Sequence, residues 1–228
     1  MNGEIRVVDD VASSFAEIVA VELAATLADR GPDSAPFRVA CSGGSSGARC
    51  FSALARRDDL DWSAIECFFV DERCVDKDAP ESNERSIREA LGRRVDALAG
   101  FHPMSCADGP DAYERELRRA GGLDLVQLGF GPDGHTASLF PGSEALDAPQ
   151  DRYVVTNADP SGLNPFTRLT LTYSAIASAR LVVVAVSGEE KRGALADVVS
   201  GTDLPAARVR AHRVIWLCDR EAAGGLLG

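Results

Sequence analysis

The run Leu181-Val-Val-Val-Ala-Val186 contains no polar residue. Successive side chains of a strand point to opposite faces, so an unbroken apolar run has to be covered on both. Strands of that kind sit inside parallel sheets that carry helices on either side, and the remaining segments fit such a sheet. Phe37–Cys41, Ile65–Val70, Leu125–Leu128 and Arg213–Cys218 read as further buried strands, and residues 4–8 as a short first one. Helical segments separate them. Asp9 or Asp10 caps one in which Val11, Phe15, Ile18, Val19, Leu23 and Leu27 share a face, and Gly31-Pro32 ends it. Another is expected from the Ser42–Gly47 turn to about Arg56, and one with a Ser82 cap has Ile87 and Leu91 inward. Two more cover Asp108–Ala120, with Tyr113 and Leu117 on one side, and residues 189–199. Arg168–Tyr173 alternates and reads as a half-buried strand, residues 142–151 and 157–166 are loop-like, and the glycine-rich 222–228 is expected to fray. Strands alternating with helices over residues 1–228 predict a single α/β domain. Its mostly parallel twisted sheet carries helices on both faces, in a Rossmann-like three-layer arrangement.

Lys+Arg 24 against Asp+Glu 35 gives a net charge of −11, the opposite of the basic surface that a nucleic-acid binder carries. An anionic ligand would need a local patch of positive charge. Arginines supply nearly all the cations, Lys77 and Lys191 being the two lysines. Nothing near the N-terminus resembles a signal peptide and no 18-residue apolar stretch occurs, so no membrane span is expected and the cytoplasm is the expected location. The cysteines are Cys41, Cys50, Cys67, Cys74, Cys106 and Cys218, with no C-x-x-C pair and four of the six in or beside expected strands. Buried free thiols are the expectation, without disulfides or zinc.

Glycine-rich turns at strand ends are where open α/β sheets bind ligands. Gly129-Phe-Gly-Pro-Asp-Gly134 matches the dinucleotide fingerprint G-x-G-x-x-G. Pro132 weakens the match, because it removes a backbone N–H that a pyrophosphate would need. No strand ending in an acid follows at the distance of about 20 residues that the fingerprint expects. Gly43-Gly-Ser-Ser-Gly47 matches the G-x-S-x-G nucleophile elbow, yet no upstream HGGG-type segment supplies an oxyanion hole. An anion site suits this loop better, since Gly43, Gly44, Ser45 and Ser46 place small residues and hydroxyls at a helix N-terminus. Asp71-Glu72-Arg73 emerges at the end of an apolar strand and Arg168 opens another. Lys191 stands at a helix start, where a cation opposes the helix dipole unless an anion binds beside it. His135 follows Pro-Asp-Gly at a strand end, with a short helical segment expected after it. An imidazole there can take and return a proton at neutral pH, and Asp133 is close enough in sequence to orient it.

Taken in order, several stretches resemble the 6-phosphogluconolactonase family. They are Ser42-Gly-Gly-Ser-Ser46, Val70-Asp-Glu-Arg-Cys-Val75, Ser82-Asn83, Leu128-Gly-Phe-Gly-Pro-Asp-Gly-His-Thr-Ala-Ser-Leu-Phe-Pro141, Arg168-Leu-Thr-Leu-Thr172 and Ser187-Gly188 with Lys191, spread over most of residues 37–195. The resemblance implies hydrolysis of 6-phosphoglucono-δ-lactone in the oxidative pentose phosphate pathway. It implies a monomer that acts on this small phosphosugar lactone with no cofactor and no metal. On it, His135 is the general base, with Arg73 and Asp133 in the catalytic group. Gly44, Ser45, Ser46, Arg168 and Lys191 hold the phosphate, Gly43 belongs to the same substrate-binding loop, Asp71 and Asn83 meet sugar hydroxyls, and Arg73 serves either the carbonyl or the phosphate. Ser46 stands where the family commonly has threonine, Asp76 where proline is common, and Glu84 where an aromatic is usual. The related glucosamine-6-phosphate deaminases share the fold and the Asp-Gly-His turn but carry a glutamate just before the next proline; here that place is Phe140. A non-catalytic phosphosugar-binding regulator would use the same clamp with His135 idle.

Overall fold

The computed structural model describes residues 1–31, 35–224 and 226. Its strands are β1 (Glu4–Val7), β2 (Phe37–Cys41), β3 (Ile65–Phe69), β4 (Asp71–Arg73), β5 (Gly100–His102), β6 (Leu125–Leu128), β7 (Val154–Asn157), β8 (Arg168–Leu171), β9 (Leu181–Val186) and β10 (Arg213–Cys218). Its α-helices are α1 (Val11–Arg30), α2 (Gly44–Ala55), α3 (Asn83–Leu91), α4 (Gly109–Ala120), α5 (Tyr173–Ala177), α6 (Arg192–Ser200) and α7 (Arg220–Ala223).

Seven strands form the expected sheet, in the order β1-β10-β9-β6-β2-β3-β5 with every neighbour parallel. All six residues of β9 are buried, as its sequence requires. From β2 the chain moves outward through β3 to β5, then returns to the other side of β2 and moves through β6, β9 and β10. Crossovers of one hand therefore put the connecting helices of the two halves on opposite faces. Helices α1, α2 and α3 lie side by side.

Asp10 caps α1 by accepting from the Ser13 N–H at 2.7 Å, and Val11, Phe15, Val19 and Leu23 face the core. By length and composition α1 is apolar enough to cross a membrane, contrary to the reading of the sequence. Its apolarity is spent in part on packing, since Phe15, Val19 and Leu23 are buried against the sheet.

The sequence did not show a second sheet, β4-β8-β7, whose pairings are antiparallel. It corrects the reading of 168–173. β8 is the middle strand and wholly buried, and Thr172 ends it by capping α5 through the Ala175 N–H. Strands β4 and β7, and the edge strand β5 of the large sheet, escaped notice because they are only three or four residues long and carry no long apolar run. Toward the C-terminus, Asp219 caps α7 and Ala222 and Ala223 are buried, so these two do not fray. Gly225, Leu227 and Gly228, and Pro32 at the other turn, lie outside the described residues.

Cys41, Cys50, Cys67 and Cys218 are the expected buried thiols. Cys74 and Cys106 correct the expectation, for they form a disulfide with Cα atoms 5.4 Å apart. The loops after β4 and β5 are brought together by β3, which pairs with β5 and runs almost directly into β4. A separation of 32 residues hid this proximity in the sequence.

Candidate active site

The chain reverses its direction across the sheet between β2 and β6, and the crevice at such a switch point is where open α/β sheets hold ligands. Ser42 fastens the two loops that meet there. Its N–H donates to Gln127 Oε1 (3.0 Å), its hydroxyl donates to the Gln127 carbonyl (3.0 Å), and the same hydroxyl accepts from the Gly129 N–H (3.2 Å). Gln127 is fully buried in β6, and a glutamine within an apolar strand was the one signal in the sequence that could have found this tie. Beyond Ser42, Gly43 opens α2 with no side-chain cap. The first-turn N–H groups at Gly44, Ser45 and Ser46 are thus left for a ligand. A Cβ on Gly43 would fall 1.9 Å from Asn83 Oδ1, so only glycine lets this loop lie against Asn83.

Asp71, Glu72 and Arg73 do three different things. Asp71 is buried and accepts from Ser138 Oγ (2.6 Å) and Asn83 Nδ2 (3.1 Å), with Arg168 Nη1 at 3.6 Å. Glu72 accepts from the Ser82 hydroxyl (3.2 Å) and from the N–H groups of Arg73, Asn83 and Glu84, each at 2.7 Å. It therefore caps α3 and fixes Asn83, although burial still raises its carboxyl above the usual range. Arg73 donates Nη1 to the Glu81 carbonyl at 2.7 Å and stands directly opposite Arg168 in the β4–β8 ladder. Arg168 is only 6% exposed. Burial lowers its guanidinium pKa even with Asp71 pulling the other way, and Arg73 adds to the lowering. The Nε of each arginine is buried without a partner among the described residues. Like charges set opposite one another repel, so two guanidiniums with unspent donors form a place for an anion.

His135 stands on the turn after β6. Its Nδ1 meets Asp133 Oδ1 at 2.5 Å, and its backbone N–H donates to the same oxygen at 3.2 Å. Burial works to raise the Asp133 carboxyl, but its bonds and charge contact with His135 outweigh this and hold it below the ordinary value. An Nδ1–H given to a carboxylate leaves Nε2 as the lone-pair nitrogen of the neutral ring. Phe140 packs against the ring with centroids 5.1 Å apart. The expected helical segment after His135 is absent. Ala137 takes a left-handed φ of 49° and Thr136 bridges to Leu139. The side chains flanking Ala137 are spent on other segments, Thr136 Oγ1 on the Gly129 carbonyl just after β6 (2.8 Å) and Ser138 Oγ on Asp71 in β4, which favours a turn over a helix.

These parts surround one cleft of about 190 Å³. Gly43, Gly44, Ser45, Ser46, Asp71, Arg73, Asn83, His135, Arg168 and Lys191 all line it, while Asp133 stands behind His135. Asn164, from the loop between β7 and β8, lines it too and was not singled out from the sequence. Residues 7–216 match the family described as "Glucosamine-6-phosphate isomerases/6-phosphogluconolactonase". The chain belongs to this family. Among its relatives is the 6-phosphogluconolactonase of Synechocystis, 36% identical over 227 residues that cover 91% of this chain and 90% of the relative. The 6-phosphogluconolactonase structure from Thermotoga maritima matches with a TM-score of 0.81 at 30% identity, covering 94% of this chain and 98% of that one. That from Leishmania guyanensis matches with a TM-score of 0.83 at 28% identity over the whole of both chains.

Two departures from the family pattern fall away from the cleft. Glu84 pairs with Arg88 at 2.8 Å and faces a separate cavity beside Lys77 and Met104. Asp76 is exposed and accepts from the Asp78 N–H in a surface turn. The third, Ser46, lines the cleft with its hydroxyl kept.

Proposed function

We propose that this chain hydrolyses 6-phosphoglucono-δ-lactone to 6-phosphogluconate, the lactonase step of the oxidative pentose phosphate pathway. The observation that carries the reading is the His135–Asp133 pair opening on the same cleft as three cations and a bare helix N-terminus. His135 Nε2 takes a proton from water as the water oxygen attacks C1. Arg73 lends positive charge to the oxyanion that forms. The tetrahedral centre then collapses, the bond from C1 to the ring oxygen breaks, and His135 returns its proton to that oxygen. General acid–base assistance of this kind is worth about 10²–10⁴-fold. The α2 N-terminus at Gly44, Ser45 and Ser46, with Arg168 and Lys191, grips the phosphate and so holds C1 in place. Asp71 already serves Ser138, Asn83 and Arg168, so its part is to orient Asn83 and Arg168, and Asn83 meets a sugar hydroxyl. A monomer acting in the cytoplasm belongs to the same reading. Phe140, in the place of the deaminase glutamate, is buried and apolar, which leaves the deaminase reading without its acid.

Lactone hydrolysis measured against the spontaneous rate tests the reading. The protein should exceed that rate, and His135→Ala should lose about 10²-fold or more in turnover while still binding 6-phosphogluconate. A protein no faster than buffer would overturn the enzyme assignment, and full activity in His135→Ala would remove the base.

A further inference from the structure

One device is used twice on the wall of the cleft. Asn83 Nδ2 donates to the Asp71 carbonyl (2.8 Å) and carboxylate (3.1 Å). Asn164 Nδ2 donates to Asp159 Oδ2 at 2.8 Å. An ionised carboxylate only accepts, so each aspartate draws the amide nitrogen to itself and leaves the amide oxygen over. Among the described residues Asn83 Oδ1 is buried with no partner, and the bond to Asp159 is the one that the Asn164 side chain makes.

Asp159 is built for this task. It is buried and accepts from the Ser161 N–H (2.8 Å), the Ser161 hydroxyl (2.7 Å) and the Asn164 N–H (3.1 Å), besides the Asn164 amide. Burial acts to raise its carboxyl, but these donors outweigh it and hold the group at about 2. It is therefore charged, and an acceptor, at neutral pH. Arg73, Arg168, Lys191 and the first turn of α2 offer the cleft donors and positive charge, and the Asp71 carboxylate is already engaged. Phosphate oxygens need such donors. Ring hydroxyls bring protons and need acceptors, and an amide oxygen with its nitrogen locked away is a neutral acceptor of fixed direction.

We propose that Asn164, locked by Asp159, determines specificity by accepting a hydrogen bond from one ring hydroxyl of the substrate through Oδ1, as the counterpart of Asn83. This rests on the phosphosugar-lactone reading above. Asp159 acts through Asn164 and is a positioning residue. A lactone that lacks the matching hydroxyl leaves Oδ1 unpaired in the cleft, and a site built to hydrogen-bond a hydroxyl rejects the analogue without it.

The test is a cycle between enzyme and substrate. Values of kcat/KM are measured for the natural protein and for Asn164→Ala, with 6-phosphoglucono-δ-lactone and its 2-, 3- and 4-deoxy counterparts. Asn164→Ala should lower kcat/KM on the parent lactone by about 3- to 10-fold, the worth of one neutral hydrogen bond. For one of the deoxy lactones, natural protein and variant should be equally fast, because the two deletions remove the same bond. Asp159→Ala should show the same coupling at the same hydroxyl, and penalties that multiply in that variant would overturn the locking role. Penalties in Asn164→Ala that multiply for all three deoxy lactones would overturn the proposal. A natural protein that fails to outpace spontaneous hydrolysis of the parent lactone would instead sink the reading beneath it.

Discussion

Gly131→Ala is expected to cost turnover without removing a reacting group. A Cβ on Gly131 would lie 2.1 Å from His135 Nδ1 and 2.5 Å from Asp133 Oδ1, inside the very contact that orients the imidazole. Ordinary carbon contacts begin more than an ångström farther out. The turn itself is tethered and has little room to yield. The Gly131 N–H donates to the His135 carbonyl (2.9 Å), the Gly134 N–H to the Gly131 carbonyl (3.0 Å), and the Ala206 N–H to the Gly134 carbonyl (2.9 Å). The backbone at Gly131 is not in the left-handed region, so alanine meets no conformational penalty there. The side chains must therefore part by about 1 Å, and a misplacement of that size costs on the order of 10²-fold in rate. The proposed phosphate grip lies on α2, β8 and the segment before α6, so the dissociation constant for 6-phosphogluconate should stay within about threefold, well under 1 kcal/mol. Initial rates corrected for spontaneous hydrolysis, with a calorimetric titration of the product, separate the two effects. A variant whose kcat stays within about threefold of the natural protein would refute the claim that Asp133 must hold His135 for catalysis.

Asp159 gives a pH-dependent stability. Its carboxyl falls from the ordinary 3.8 to about 2 in the fold, a shift worth about 2 kcal/mol, trimmed toward 1 kcal/mol by screening from the water around the exposed residues of its loop. The sign is that of a lowered acid: the stabilisation is complete above the unfolded value and is lost as pH falls through the folded one. Asp159→Asn should be less stable than the natural protein in urea at pH 7, with the gap closing between about pH 4 and 2; a gap constant over that range contradicts the assignment. The Cys74–Cys106 bond spans 32 residues and should contribute about 3–4 kcal/mol by loop closure. Thiol titration of the denatured chain should find the four free cysteines before treatment with a dithiol and all six after it. Six at the outset would show that the two loops are held without a covalent bond.

The large sheet was legible because burial on both faces leaves a plain trace in sequence. Leu181–Val186 and Arg213–Cys218 are strands with the bounds that their apolar runs predict. The second sheet left no such trace. β4 is Asp71-Glu72-Arg73, three charged residues whose strand character comes from pairing with β8 and not from any preference of their own. The gathering of Ser45, Arg73, His135, Arg168 and Lys191 was legible through family motifs, since their separation in sequence conceals their closeness. Asn164 was missed because one asparagine in a loop rich in proline and glycine carries no pattern. Its part depends on Asp159, five residues earlier, and on a hairpin that the sequence does not announce.

The small sheet also explains why the site is polar where a core would ordinarily be apolar. Asp71, Glu72, Ser82, Asn83, Ser138, Asn157, Arg168 and Thr170 are all buried. Bringing such groups out of water costs free energy that well-packed apolar residues would not, and replacing a buried ion pair by them is often neutral or stabilising. Stability alone would not keep this cluster. Its members are instead joined in a chain of ties that ends on residues facing the cleft. Glu72 fixes Asn83, Ser138 and Asn83 hold Asp71, and Asn157 Nδ2 donates to the Ser138 carbonyl at 2.6 Å. Arg168 lies at the end of these ties with Asp71 on one side and Arg73 opposite. Arg73 and Arg168 together set a local positive patch at the cleft wall, in a chain whose net charge is −11. On the proposed reading a phosphate or a developing oxyanion balances it, so that the cost of keeping the cluster polar is offset in the bound state, where orientation of the substrate decides the rate.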